Sequence, residues 1–466
     1  MSQNVTAQLG TEPVGRLLLR LSWPAVVSTV INMLYNLVDR VYIGNGVGSD
    51  ALAGLALTMP YMIITAAFGM MGGIGTSSVI SILLGERRRE EAETALGQLV
   101  TLCLASVVTI QLVALAWLDE TLVWFGGNAT TIPYARDYLR IILCGSVFQH
   151  LSFSLAAQLR AEGNARKCMY TILIGAISNI LLDPLFIFVF RLGIAGAAWA
   201  TILSMMISSS YVLWHFIRGL GTLRLHWRNL APRPRMLARI VSIGLSPACV
   251  QIAAGAINIA ANHCFNAYSP TLAEANEGIA CWSIALSVNF IFITPVFGLA
   301  QGMQPIVGYN LGARNWARVR QTYKTALLSG IALCCAGAAI IGTCAPWLVL
   351  CFNQSPQIVD TGTRALRIII TVFPLIAIDI LTVNYFQATG RAWVSICLSL
   401  LRQVIFFLPT LVVLSHLTGI RNIWWSIPIS DTAALLCSST IATCTLARLA
   451  RRERAQDCGS GNTIPS

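Results

Sequence analysis

Charge is what this chain has least of. Only 11% of its 466 residues are Asp, Glu, Lys or Arg, where an ordinary soluble protein carries about 25%. That scarcity excludes a soluble fold of this length. Catalytic signatures are missing as well. There is no G-x-x-x-x-G-K-[ST] phosphate loop, so nothing suggests an ATP-driven pump. There is no H-E-x-x-H and no nucleophile elbow, and the five histidines are scattered, which argues against an enzyme. The 14 cysteines form no C-x-x-C pair and lie mostly in apolar runs, so they read as small buried hydrophobes rather than disulfides or metal ligands. Alternating segments of about ten residues, the mark of a membrane barrel, are absent too. The first residues are largely polar, so no cleaved leader is expected and the first apolar run should remain as a membrane helix.

What the chain does have is apolar length. It is 56% hydrophobic, with a mean hydropathy of +0.70. Apolar runs fall at 17–44, 55–84, 95–117, 136–159, 168–190 and 193–217, then at 237–265, 279–309, 324–350, 364–388, 392–416 and 422–447. A helix needs about 20 residues to cross a bilayer, so the expectation is an all-α, polytopic membrane protein of twelve spans. The net charge of +12 could suggest nucleic acid, but its placement decides otherwise. With the N-terminus inside, 23 of the 31 Lys and Arg collect in inner segments, including Arg87, Arg88 and Arg89, the stretch Arg218 to Arg239, and the tail Arg448 to Arg454. This bias predicts a multi-pass protein of the inner membrane with both termini cytoplasmic and no nucleic-acid partner.

The longest polar break between two sets of six spans, 218–236, divides the chain into an N-terminal lobe, 1–228, and a C-terminal lobe, 229–466. A faint repeat links them. "AEGNA" at 161–165 answers "ATGRA" at 388–392, and "LLGERRREEA" at 83–92 answers "NLGARNWARV" at 310–319; at that same offset Gly75 falls on Gly302. "LSWPA" and "LSPA" set Pro24 against Pro247. Six spans is an even number, so the two lobes share an orientation, as in transporters built from parallel repeats.

Ionisable and amide side chains interrupt the apolar pattern in a few places. In the first span Asn32, Tyr35, Asn36 and Asp39 share one helical face, and such a stripe must face protein or water. The fifth span repeats the device with Asn179 and Asp183, followed directly by Pro184, whose ring loosens the preceding turn and frees carbonyl oxygens. Two carboxylates with amide oxygens suit a proton or a hard cation, and Thr201 in the sixth span could add a hydroxyl. The C-terminal lobe keeps a polar face in its seventh span (Gln251, Asn258, Asn262) without the acid, so the carboxylate pair is expected in the N-terminal lobe alone. Asp379 lies inside the tenth span as a second candidate, and Gln301 reads as a cavity or packing residue. Pro24, Pro184 and Pro247 are candidate hinges.

"YNLVDRVYIGNGVG", "ALAGLALTMP", "NILLDPLFIF" and "GMQPIVGYNLGA" resemble the multidrug and toxic compound extrusion (MATE) transporters, and "NYFQATGRAWVSICLSLLRQ" is similar to the bacterial MepA-like branch. The resemblance runs from about residue 15 to 450. It implies twelve helices in two six-helix lobes forming a V, no cofactor, and a monomer that exports lipophilic, mostly cationic compounds in exchange for H⁺ or Na⁺. It also implies a cation site at Asp39, Asn179, Asp183 and Thr201, with Tyr35 beside it. Asp379 resembles a tenth-helix acid of some members, but the glutamate that pairs with it there has no counterpart in this chain. A flippase for a lipid-linked glycan, a fold relative, is the alternative expectation.

Overall fold

The computed structural model describes residues 3–460 apart from residues 126 and 129. Among the described residues the regular structure is helical throughout, with no strand. Eleven helices are long and apolar enough to cross a membrane, and a twelfth span is a bent pair. In chain order they are Val14–Gly46, Met59–Gly85, Arg89–Ala116, Thr131–Ala161, Ala165–Val189 and Gly193–Arg218, then Pro234–Tyr268, Leu272–Gly312, Trp316–Leu350, the pair Pro356–Ile369 and Phe373–Ala388, Ala392–Thr418 and Asn422–Gln456. Each covers one of the twelve apolar runs.

Where the spans depart from a straight α-helix, proline is the cause. The tenth bends by 57° at residues 370–372. Pro374, in the first turn of its second segment, lacks the N–H that would carry the ladder through. In the fifth, Pro184 is followed by a π-helical turn, Leu185–Val189, in which the Phe190 N–H reaches back to the Leu185 carbonyl at 2.9 Å. The eleventh holds a longer π-helical stretch, Leu401–Phe407, ahead of Pro409. Such wide turns recur at functional positions. Helix starts follow the usual chemistry: the Thr271 hydroxyl accepts the Glu274 N–H at 3.2 Å, and the Asn315 amide oxygen accepts the Arg318 N–H at 3.2 Å.

The repeat is written into the turns. Arg87 and Arg314, equivalent in the two halves, both adopt positive φ, 62° and 58°, and so do Gly163 and Gly390, at 89° and 72°. Each pair closes its helix with the same hydrogen bonds: Arg88 N–H to Leu83 and Asn315 N–H to Asn310, both at 2.9 Å, and Asn164 N–H to Leu159 and Arg391 N–H to Phe386, at 2.8 and 2.9 Å. A non-glycine residue at positive φ is uncommon, so its recurrence at one offset is structural evidence of the duplication.

Two compact units divide the chain, one comprising Met1–Glu12 and Trp23–Gln251 and the other Pro13–Ser22 and Ile252–Ser466. The first and seventh spans therefore each change unit, beside Pro24 and a turn after Pro247. In the first unit the opening of the seventh span lies directly on the second span. A Cβ on Gly75 would strike the Ile240 carbonyl, and one on Gly244 the Met71 carbonyl. In the other unit a Cβ on Gly302 would strike Ser22. Glycine is required at these positions because backbone meets backbone.

The first unit also fastens the segment after its sixth span to itself through buried side chains. The Glu162 carboxylate accepts the Leu223 N–H at 2.6 Å, Glu93 accepts the Arg224 N–H at 3.2 Å, and the Gln98 amide donates to the Asn229 and Ala231 carbonyls at 2.7 and 2.8 Å. Thr6 of the short helix Gln3–Thr11 completes the fastening, donating to the Glu162 carbonyl at 2.9 Å and meeting Thr222 at 2.6 Å.

Candidate functional site

Helical spacing brings Asn179 and Asp183 to one face of the fifth span, and the structure buries that face: Asn179 is 1% exposed and Asp183 0%. The Asn179 amide donates to Asp183 Oδ1 at 3.2 Å and stands 3.5 Å from Thr201 Oγ1. Asp39, 9% exposed, comes from the first span to face Asp183 within hydrogen-bonding and coulombic reach. The four residues expected from sequence thus meet, supplied by the first, fifth and sixth spans.

Unsatisfied oxygens give this meeting its chemical character. Asp39 Oδ1, Asp183 Oδ2 and Asn179 Oδ1 are all buried and all lack a hydrogen-bond partner. Buried polar atoms are nearly always paired, and each exception calls for an explanation. Here three acceptors from three residues are open at one place, with two carboxylates together in low dielectric. A positive charge would satisfy the set, whether as protons on the carboxylates or as one small hard cation. Among the described residues no group of three or more His, Cys, Asp or Glu could hold a metal, so a transition-metal centre does not fit, whereas a mixed carboxylate, amide and hydroxyl set fits H⁺ or Na⁺.

Sequence reading missed Tyr138. It projects from the fourth span, is 4% exposed, and lies close to Thr201, Asp39, Asp183 and Tyr35. Its signal was weak, because a tyrosine in an apolar run reads as core, and it does pack in an apolar shell with Ile43, Ile142, Ile187 and Ala198. Tyr35 is half-buried beside Asn36.

The rest of the expected polar face is more open. Asn36 is exposed and turns its amide onto its own helix, donating to the Asn32 carbonyl at 2.6 Å and to Asn32 Oδ1 at 2.9 Å. On the seventh span Gln251 is half-buried while Asn258 and Asn262 are exposed; Asn258 donates to the Ala254 carbonyl at 2.9 Å. Gln301 is half-buried. These residues do not join the Asp39–Asp183 cluster.

Asp379 is buried in the tenth span at 6% exposure, but it does not stand alone. Arg402 Nη1 donates to its Oδ2 at 3.4 Å and Ser438 Oγ to its Oδ1 at 2.6 Å. Arg402 Nε also donates to Asp431 Oδ1 at 2.9 Å. The expectation of a carboxylate pair in the N-terminal half alone is therefore corrected: the other half has its own pair, bridged by an arginine.

Comparison with known proteins matches this assembly of spans. The profile of the MatE family matches residues 24–185 and 274–412. Multidrug export protein MepA of Staphylococcus aureus (strain MRSA252) is 25% identical over 430 residues, 92% of this chain and 93% of that protein. MepA of Staphylococcus haemolyticus is 25% identical over 415 residues, 89% of this chain and 90% of that one. Among solved structures, a MATE protein in complex with MaL6 superposes with a TM-score of 0.89 at 25% identity, covering 97% of this chain and 100% of its own. An outward-facing multidrug resistance MATE transporter gives 0.88 at 25% identity, covering 95% and 98%.

Proposed function

The chain belongs to the MATE family of multidrug efflux transporters, and from that premise we propose that it exports lipophilic, mostly cationic compounds by antiport with H⁺ or Na⁺ bound at Asp39, Asn179, Asp183 and Thr201. It is a membrane transporter and not an enzyme. The observation that supports the coupling site is the set of three buried, partnerless oxygens on Asp39, Asn179 and Asp183. Ionised and empty, the site holds two carboxylates in low dielectric. Binding of a cation removes their repulsion and stabilises the arrangement that brings the first span against the fifth.

Export needs the ion and the drug to favour different states of the protein. Pro24 is the hinge of this reading. It interrupts the ladder of the first span, the Ser28 hydroxyl caps its carbonyl at 2.6 Å, and the span changes unit immediately before it. Asp39 sits about four turns further on, so neutralising it can alter the bend. Pro247 is the equivalent hinge of the seventh span. In the first unit the amides of Asn32, Asn36 and Gln251 with Tyr35 offer neutral, aromatic-edged contacts to a lipophilic cation, and in the second unit Asn258, Asn262 and Gln301 offer amides of the same kind. The partners are the bilayer and small molecules; the protein acts as a monomer in the cytoplasmic membrane, with both termini and the 218–236 linker in the cytoplasm.

Dye efflux from reconstituted vesicles tests this. Asp39→Asn and Asp183→Asn should each abolish ethidium export driven by separately imposed H⁺ or Na⁺ gradients, at matched protein per vesicle. Near-wild-type efflux in both variants overturns the coupling site, and export of anionic compounds alone overturns the substrate class.

A further inference from the structure

The first segment of the tenth span, Pro356–Ile369, has two faces of opposite character. Ala365, Leu366 and Ile369 are buried in an apolar core with Trp282, Phe407 and Trp424, and Ile358 and Val359 pack against it. On the other face Asp360, Thr363, Arg364 and Arg367 recur at helical spacing. With Thr371 and Trp425 they line a cavity of about 480 Å³. Trp425 belongs to the 3₁₀ turn Gly419–Trp425 and is 42% exposed. All of these residues lie in one compact unit.

An arginine in a spanning segment is costly unless it faces water or a partner, and this face carries two. Arg364 is only loosely paired: its Nη2 stands 3.7 Å from Asp360 Oδ2, with the two side chains 70% and 79% exposed. Such an open pair is worth little. Arg367 is exposed, and among the described residues it meets no carboxylate. Thr363 Oγ1 is buried without a hydrogen-bond partner, whereas Thr371 Oγ1 donates to the Ile368 carbonyl at 2.8 Å. The cavity therefore holds two guanidinium forks, one open hydroxyl and, after Asp360 is counted, one surplus positive charge. That charge repels a cation and attracts an anion. Guanidinium matches phosphate with paired N–H···O bonds, and the volume suits a polar headgroup better than a lone ion. With both termini cytoplasmic, as proposed above, the tenth span enters from the outer face. The cavity then lies near the outer surface of the bilayer, where indole rings such as that of Trp425 settle.

We propose that this cavity binds the headgroup of an anionic phospholipid of the outer leaflet. Arg364 and Arg367 clasp its single phosphodiester charge, Thr363 donates its free O–H to a phosphate oxygen, and Trp425 covers the glycerol carbons. Asp360 competes with the lipid for Arg364. Only the choice of leaflet rests on the topology proposed above; the binding itself depends neither on that topology nor on the coupling ion.

Native mass spectrometry of purified full-length protein, titrated in detergent with phosphatidylglycerol or phosphatidylcholine, counts the bound lipids. Phosphatidylglycerol should bind preferentially. Arg364→Gln/Arg367→Gln should weaken one binding step about tenfold or more, and Arg451→Gln/Arg454→Gln in the cytoplasmic tail should leave that step unchanged. Thr363→Val should weaken it about threefold. Asp360→Asn should tighten it about threefold, because the competing carboxylate is gone. Undiminished binding in the double arginine variant, or equal uptake of the two lipids, overturns the proposal. Displacement of phosphatidylglycerol by millimolar inorganic phosphate also overturns it, since the site would then serve a soluble anion. Should the double variant fail to fold, Asp360→Asn decides: unchanged or weaker binding there overturns the proposal. No transport is read, so failure of the coupling site leaves these outcomes untouched.

Discussion

Each half of the molecule buries two aspartates within its membrane spans, and each resolves the problem differently. In the N-terminal half Asp39 and Asp183 face one another with an amide, a hydroxyl and a phenol nearby, and three oxygens stay open. In the C-terminal half Asp379 and Asp431 share a permanent guanidinium, and one oxygen stays open. The difference is one tethered cation. Where the chain supplies its own positive charge, the site is nearly complete; where it does not, the charge has to arrive from solution and can leave again. If the proposed coupling site holds, a duplicated framework has become one half built to exchange a cation and one half built largely to keep one.

Four substitutions break or sharpen this contrast. The largest effect is expected from removing the built-in cation. Arg402→Gln strands two buried carboxylates, which costs roughly 3–5 kcal/mol when one partner of a buried ion cluster is deleted. Thermal unfolding in detergent should show it, and adding Asp431→Asn should recover most of the loss. Next comes the reverse experiment, giving the N-terminal site a tethered cation of its own. Asn179→Lys should leave folded protein in the membrane yet slow gradient-driven efflux by about 100-fold, or about 2.7 kcal/mol in activation free energy.

Thr201→Val separates the two candidate ions. If Na⁺ is the ion, loss of the hydroxyl oxygen should weaken apparent Na⁺ affinity about tenfold, near 1.4 kcal/mol, as read by Na⁺-dependent efflux. If H⁺ is the ion, proton-driven efflux should stay close to that of the unmodified protein. The smallest effect belongs to Ser438→Ala, which removes one interhelical hydrogen bond to Asp379. Polar pairs of this kind within membranes average about 0.6 kcal/mol, so a small drop in melting temperature with unchanged export is expected. A loss of export there would mean that transport needs the Asp379 carboxylate held in place by Ser438.

Spans and acids differed in how readable they were. Hydropathy alone delimits the twelve apolar runs, because a bilayer penalises every charged residue inside them. Asn179 and Asp183 were readable because their relation is local: four residues apart, they share a helix face whatever surrounds them. Asp39 was readable for the same reason, as the end of a stripe. Arg402, Asp431 and Tyr138 were not, since each acquires its meaning from a partner on another span. In sequence Arg402 and Asp431 are each the single charge inside an apolar run, 392–416 and 422–447, with nothing local to pair them. Only packing reveals that they meet, and the 57° bend of the tenth span is equally invisible in a hydropathy trace that runs straight through it.

The exchange of helix starts between the two units bears on how such a chain could have arisen and how it could be cut. Residues 13–22 belong with the later half and the seventh span up to Gln251 with the earlier one, each seated through glycine where backbones touch. Two equal copies that lend each other their opening turns have the connectivity of an arm-exchanged homodimer whose chains were later joined end to end. Severing the chain in the linker ahead of Pro234 would return it to that ancestral form. Neither fragment would be self-sufficient, because each would lack the arm that covers its own glycine face, but the two expressed together should find one another and rebuild the transporter.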